Sequence, residues 1–219
     1  NYLKKKKIKL FSLDVSHKEI RNITSTAELS ITMILNSIRN IYKILSDTKN
    51  FKFSRYKYKF KQFRNYTVGI IGYGRIGKKV NKYVKILDFK TKIYDPNLQK
   101  NRYNFNKIIS ECDILTLHCP YKGKQILNKK NFIFLKKDIR IVNTSRGELI
   151  DEKNLYLFLK NNPESQYWTD VLTNEQSRIN MKKKDKNFHK LNKLRNFFIT
   201  PHIGGASTDA MQIVEKYIF

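Results

Sequence analysis

Acidic residues are scarce in this chain: 18 Asp and Glu stand against 45 Lys and Arg in 219 residues, a formal net charge of +27. Cysteine is rarer still. Cys112 and Cys119 are too few for a disulfide framework, and they lie in or beside an apolar run, so they are expected as small core residues in a reducing compartment. No Cys/His cluster is present, so no metal is expected. No apolar run approaches the roughly 20 residues that a spanning helix needs. Lys4 to Lys7 lead only into the short run Ile8 to Leu13, which lacks signal-peptide architecture, and a soluble cytoplasmic protein without a membrane partner is expected. There is no internal repeat of the kind that builds solenoids.

The charge suggests polyanions, yet the excess is spread along the whole chain, is mostly Lys, and accompanies abundant Asn, Ile, Phe and Tyr, all residues with A/T-rich codons. Base composition explains it better than a basic face built to track phosphates, which would favour Arg and concentrate on one element. The segment Phe51 to Phe63 does interleave cations with aromatics, as strand-binding surfaces can, but it reads as a solvated connector. No specific nucleic-acid partner is expected. The length suits one full domain plus part of another.

Helical and extended patterns alternate along the chain. After a short strand at Ile8 to Leu13, apolar residues from Ala27 to Leu45 recur at helical spacing, predicting one long helix from Ser25 or Thr26 to about Leu45, with Thr24 to Thr26 as N-cap. Then follow a strand Thr67 to Ile71, a helix Ile76 to about Leu87, a strand Thr91 to Tyr94, a short helix Phe105 to Ser110 and a strand Ile114 to Leu117. Beyond Pro120 come a helical stretch near Lys129 to Leu135, strand Ile139 to Asn143, helix Glu152 to Lys160, strand Tyr167 to Val171, a solvated lysine-rich loop Met181 to Arg195, strand Phe197 to Thr200 and a helix from Thr208. Such alternation predicts an α/β fold: a doubly wound parallel (Rossmann) sheet with helices on both faces.

Where the first of these central strands ends, the sequence is Gly72-Tyr73-Gly74-Arg75-Ile76-Gly77. A strand before, a helix after, and Asp95 ending the next strand are the setting that a dinucleotide fingerprint requires. Gly72 suits the tight turn, Gly74 leaves room for a pyrophosphate at the helix N-terminus, and Gly77 lets helix and sheet lie close. Asp95 can accept hydrogen bonds from an adenosine ribose and would repel a 2′-phosphate, which predicts NAD rather than NADP. Ligands on such sheets bind beyond the carboxyl ends of the strands. His118-Cys119-Pro120, Asn143-Thr144-Ser145-Arg146-Gly147, Asp170 and Pro201-His202 all end strands there.

Arg146 can pair with a carboxylate through two parallel hydrogen bonds. His202 lies between Thr200-Pro201 and Ile203-Gly204-Gly205, a rigid approach and a permissive exit, and Glu175 follows the fifth strand. Together they suit reduction of a 2-keto acid: Arg146 fixes the carboxylate and polarises the carbonyl, and His202 delivers the proton. The Glu175 carboxylate favours the protonated imidazole and fixes its orientation. Asp170 is a candidate acceptor for the nicotinamide carboxamide, with a strand-end cap as the alternative.

These blocks, with Tyr94-Asp95-Pro96 and Glu148-Leu149-Ile150-Asp151, resemble in order and spacing the D-isomer-specific 2-hydroxyacid dehydrogenases, above all their phosphoglycerate dehydrogenase branch. The resemblance implies Arg146, Glu175 and His202 as the catalytic set. It implies an NAD site made by Gly72, Gly74, Arg75, Ile76, Gly77, Asp95, His118, Cys119, Pro120, Thr144, Ser145, Arg146, Asp170, His202, Gly204 and Gly205. It implies a dinucleotide-binding domain over 24–205, with 1–23 and 206–219 belonging to a smaller substrate (lid) domain of which only a remnant is present. A small 2-hydroxy or 2-keto acid is the expected substrate, and a homodimer paired through the helix Ser25 to Leu45 the expected assembly. The alternatives are a nucleotide-sensing interaction module that needs no turnover, like the co-repressors built on this fold, and a basic nucleic-acid binder.

Overall fold

The computed structural model describes residues 18–98, 104–175 and 186–218. The expected strand at Ile8 to Leu13 lies outside them. Helices α1 (Lys18–Asn22), α2 (Ser25–Arg39) and α3 (Ile41–Lys49) precede the first strand, β1 (Thr67–Ile71). Then come α4 (Arg75–Ile86), β2 (Lys90–Tyr94), α5 (Phe105–Glu111), β3 (Ile114–Leu117), β4 (Arg140–Asn143), α6 (Glu152–Asn161), β5 (Gln166–Thr169), α7 (Lys186–Asn192), β6 (Phe197–Ile199) and α8 (Thr208–Ile218).

The six strands pair in the order β2-β1-β3-β4-β5-β6, every pair parallel. The chain runs outward from β1 to β2 and then returns to lay β3 on the other side of β1. That reversal opens a crevice beyond the carboxyl ends of β1 and β3, the place where doubly wound sheets bind ligands.

Strand alternation feeds two cores. Val68, Ile70, Ile114 and Val142 face Met33, Ile34 and Ile38 of α2 and Val80 and Val84 of α4. Leu115, Leu117, Ile141 and Tyr167 face Ile108 and Ile109 of α5, Leu155 and Leu159 of α6, and Leu191 of α7. A parallel sheet covered on both faces needs apolar residues at successive positions, which is why the central strands read as continuous apolar runs.

Three expectations need correction, and the N-cap expected within Thr24 to Thr26 is narrowed. The predicted single helix is two, because Asn40 takes a left-handed conformation (φ +48°) and its N–H returns to Asn36 O. Asn tolerates that region better than most residues, and the break swings α3 over the β5–β6 edge, where Tyr42 meets Phe198 edge to face. The N-cap position is Thr24, whose side chain makes no cap bond, and Thr26 is inside the helix with its hydroxyl bonded to Gly204 O (2.9 Å). The stretch near Lys129 to Leu135 forms only a 3₁₀ turn, Phe132–Phe134, because the side chains of Asn128 and Asn131 bond nearby backbone groups in competition with a helix. Within the lysine-rich stretch, residues 186–192 are helical and bury Leu191, while 181–185 lie outside the described residues.

Candidate active site

The turn from β1 into α4 is set by contacts that leave no space for side chains. Gly72 has φ +94°, and a Cβ there would come within 2.7 Å of the His118 carbonyl carbon. A Cβ on Gly77 would lie 2.1 Å from Gly72 O, so α4 can rest against β1 only with glycine at this position. Gly74 is different: a Cβ would meet nothing within 4 Å, and the approach to the α4 N-terminus is open. The first N–H groups of that helix have no intrahelical partner and attract an anion. Asp95 is fastened beside them, its Oδ2 accepting the Tyr73 N–H (2.7 Å) and its Oδ1 the Asn97 N–H (2.9 Å). The turn, the open helix end and the acid are the features a dinucleotide pyrophosphate and ribose require.

Two expected cofactor contacts look elsewhere. The Arg75 guanidinium donates to Ile20 O (3.2 Å) and Ile23 O (3.1 Å), at the α1–α2 junction. What Arg75 offers the helix end is its backbone. The Thr144 hydroxyl is directed at α2: Ser30 spends its hydrogen on Thr26 O, so Thr144 donates to Ser30 Oγ (2.8 Å). Ser145 donates to Cys119 O (2.6 Å) and so ties the ends of β3 and β4 together. His118 sits behind the glycine turn with Nε2 bonded to Thr116 Oγ1 (2.9 Å), and burial pushes its pKa down to about 3, which keeps the ring neutral. Burial likewise pushes the Cys119 thiol up to about 11 and Cys112 to about 12, so neither is a thiolate nucleophile.

Arg146, Glu175 and His202 share a cavity. It measures about 530 Å³ and is lined also by Gly147, Glu148, Val171, Leu172 and Asn174. Arg146 stands on the exposed turn after β4, where buried Asn143 accepts the Ser145 N–H and donates to Arg146 O (2.9 Å). Tyr167 OH takes a second hydrogen from Asn143, and burial pushes that phenol up to about 12. The Glu175 loop touches the Arg146 loop directly, since a Cβ on Gly147 would lie 2.1 Å from the Leu172 carbonyl carbon.

His202 Nδ1 is 2.6 Å from Glu175 Oε2, with the imidazole nearly half exposed. Among the described residues nothing bonds Nε2, the ring nitrogen that can face a ligand. The His202 backbone is left-handed (φ +57°), and buried Asp170 holds it there: Oδ1 accepts Thr200 Oγ1–H (2.5 Å) and the Ile203 N–H (2.8 Å), and Oδ2 accepts the Gly204 N–H (2.7 Å). Asp170 thus acts first on the His202 loop, nearer to the strand-end cap than to the carboxamide acceptor. The sequence reading also gave no role to Glu148 and Glu152, whose carboxylates accept the Asn174 N–H (2.9 Å) and the Thr173 N–H (3.3 Å). In the sequence Glu148 is one position of a family-like block and Glu152 the first residue of a helix, and neither shows which backbone groups it will meet.

Chemically, the arrangement offers one guanidinium for a carboxylate and one imidazole steadied by a carboxylate for proton transfer. Both stand along the same strand ends as the dinucleotide turn.

Comparison with known proteins identifies the family. Residues 31–204 match the model of the family described as D-isomer specific 2-hydroxyacid dehydrogenase, NAD binding domain. The chain is 30% identical over 199 residues to D-3-phosphoglycerate dehydrogenase of Archaeoglobus fulgidus, covering 86% of this chain and 36% of that protein. It is 29% identical over 204 residues to hydroxypyruvate reductase of Thermotoga maritima, covering 88% of this chain and 65% of that protein. The chain therefore spans between about a third and two thirds of the length of these relatives. In fold it is similar to D-lactate dehydrogenase from Aquifex aeolicus, solved with NAD and lactic acid, with a TM-score of 0.84 at 24% identity over 98% of this chain and 68% of that one.

Proposed function

The chain belongs to the D-isomer specific 2-hydroxyacid dehydrogenases through their NAD-binding domain, and on that footing we propose that it binds NAD in the β1–β3 crevice and serves hydride transfer between a D-2-hydroxy acid and the matching 2-keto acid. The observation that carries this reading is the convergence of Arg146, Glu175 and His202 on one cavity, from positions 146, 175 and 202 of the chain. Bound at the turn, NAD would supply or accept the hydride. Gly72, Gly74 and Gly77 shape the turn for the pyrophosphate, the N–H groups at Arg75 and Ile76 meet it, and Asp95 takes the ribose hydroxyls.

Arg146 holds the substrate carboxylate through paired hydrogen bonds and draws electron density from the adjacent carbonyl. His202 gives its Nε2 proton to the carbonyl oxygen on reduction and takes it back on oxidation. Glu175 keeps Nδ1 bonded and the ring in place. Asp170, His118, Cys119, Pro120, Thr144, Ser145, Gly204 and Gly205 complete the walls around the cofactor, several of them by ordering the loops.

Residues 24–205 form the NAD-binding domain in this reading. The segments 1–23 and 206–219 pass to a smaller substrate domain, and the packing of α1 on α8 supports a common crossing point. The exposed apolar residues Tyr42 and Leu45 on α3 suit pairing of two copies through the α2–α3 region. Among the described residues no helix is long and apolar enough to cross a membrane. Neither the sensing-module reading nor the nucleic-acid reading draws support from the relatives named above.

The test is direct. In the full-length protein, His202→Ala should lower keto-acid reduction by about 10²-fold or more while the NADH dissociation constant stays within about twofold of wild type. Unchanged turnover would remove the proton-transfer role and this reading with it.

A further inference from the structure

Glu175 reaches His202 from a short segment after β5 that reverses at Asn174, where φ is +51°. His202, at the other end of the 2.6 Å bond, is left-handed as well. Asn tolerates that conformation better than most residues and His less so, and at His202 it persists because the surroundings over-determine it. On the His202 side the surroundings are Asp170 and its three hydrogen bonds.

On the Glu175 side they are two further carboxylates. Glu148 Oε1 accepts the N–H of Asn174, and Glu152 Oε1 accepts the N–H of Thr173. Glu148 belongs to the loop of Arg146, and Glu152 opens α6 directly after it. These two bonds therefore join the loop that carries the guanidinium to the loop that carries the acid, across the backbone contact that Gly147 permits. A carboxylate lining a cavity meant for an anion would oppose binding unless its charge were engaged, and Glu148 is turned onto a backbone N–H.

We infer that Glu148 and Glu152 are positioning residues, which fix the Leu172–Glu175 backbone so that Glu175 meets His202 on the wall of the cavity that Arg146 also lines. The catalytic consequence rests on the dehydrogenase reading, whereas the geometric claim does not.

The experiment separates the two. In ¹⁵N-histidine-labelled protein, the hydrogen-bonded Nδ1–H of His202 gives a downfield proton resonance, assigned by its loss in Glu175→Ala, which removes the acceptor. The double variant Glu148→Ala/Glu152→Ala should lose that resonance with the melting temperature and NADH affinity retained. Glu148→Gln/Glu152→Gln should keep it, because an amide oxygen still accepts both N–H groups. Keto-acid kcat/KM should fall by about tenfold or more in the alanine pair and recover in the glutamine pair.

If no 2-keto acid is turned over but the resonance follows this pattern, the positioning role stands and the dehydrogenase reading falls. A wild-type resonance in the alanine pair, its equal loss in the glutamine pair, or its absence from the wild type would each overturn the positioning role. Should the alanine pair fail to fold, Glu148→Ala alone carries the same comparison.

Discussion

At the scale of single residues, the site is made by groups that face each other only after folding. Asp95 has two duties that pull on one carboxylate: it closes the glycine turn through the Tyr73 and Asn97 N–H groups, and it presents negative charge where a ribose would lie. Asp95→Ala should therefore weaken NADH and remove the repulsion of a 2′-phosphate together. The expected outcome is a preference for NADH over NADPH reduced by about tenfold or more, since a hydrogen bond to a charged group contributes about 1.5–3 kcal/mol. Parallel titrations with the two cofactors check it. An unchanged ratio would leave Asp95 as a turn residue alone.

At the scale of elements, the decisive event is the docking of one loop on another. Gly147 brings the turn after β4 against the turn after β5, and Gly147→Ala would place a methyl group inside backbone atoms of Leu172 and Thr173. Overpacking of this kind costs about 1–3 kcal/mol, so the midpoint of thermal unfolding should drop and turnover should fall as Glu175 leaves His202. Calorimetry with a keto-acid assay checks both; a variant with wild-type stability would mean the loops part easily. These elements were legible in the sequence to different degrees. The central strands and α4 could be read because apolar runs and glycine spacing are local signals. The break at Asn40 could not, since the periodicity of Ile38, Ile41 and Leu45 continues through it and only the dihedral angle of one Asn decides. Nor could the work of Asp170, because its donors, Thr200, Ile203 and Gly204, arrive thirty residues later. Arg146, Glu175 and His202 could be grouped in advance because each follows a strand and because their blocks resemble those of a known family; that they line one cavity is what folding adds.

At the scale of the whole molecule, stability depends on acid in a direction the interior determines. His118 is held at a pKa of about 3 in the fold by burial, against 6.5 as its ordinary value. Between those limits the unfolded chain binds a proton that the folded chain refuses. The contribution of this residue is therefore fully present above pH 6.5 and is lost as pH falls toward 3, at a slope of up to about 1.4 kcal/mol per pH unit. A chain already at +27 gains further positive charge over the same range, and self-repulsion acts in the same direction. Denaturant midpoints measured from pH 7 to pH 4 should decline, and His118→Gln should decline less steeply; parallel slopes would show that the imidazole is protonated in the folded state. Gly72 and Gly77 guard the same turn from two different sides. A methyl group on Gly77 would need α4 and β1 to move apart, whereas one on Gly72 would strike the backbone of His118 and Cys119 beyond β3. However freely the surface lysines are exchanged, the crevice keeps its shape only while both walls of this turn stay bare.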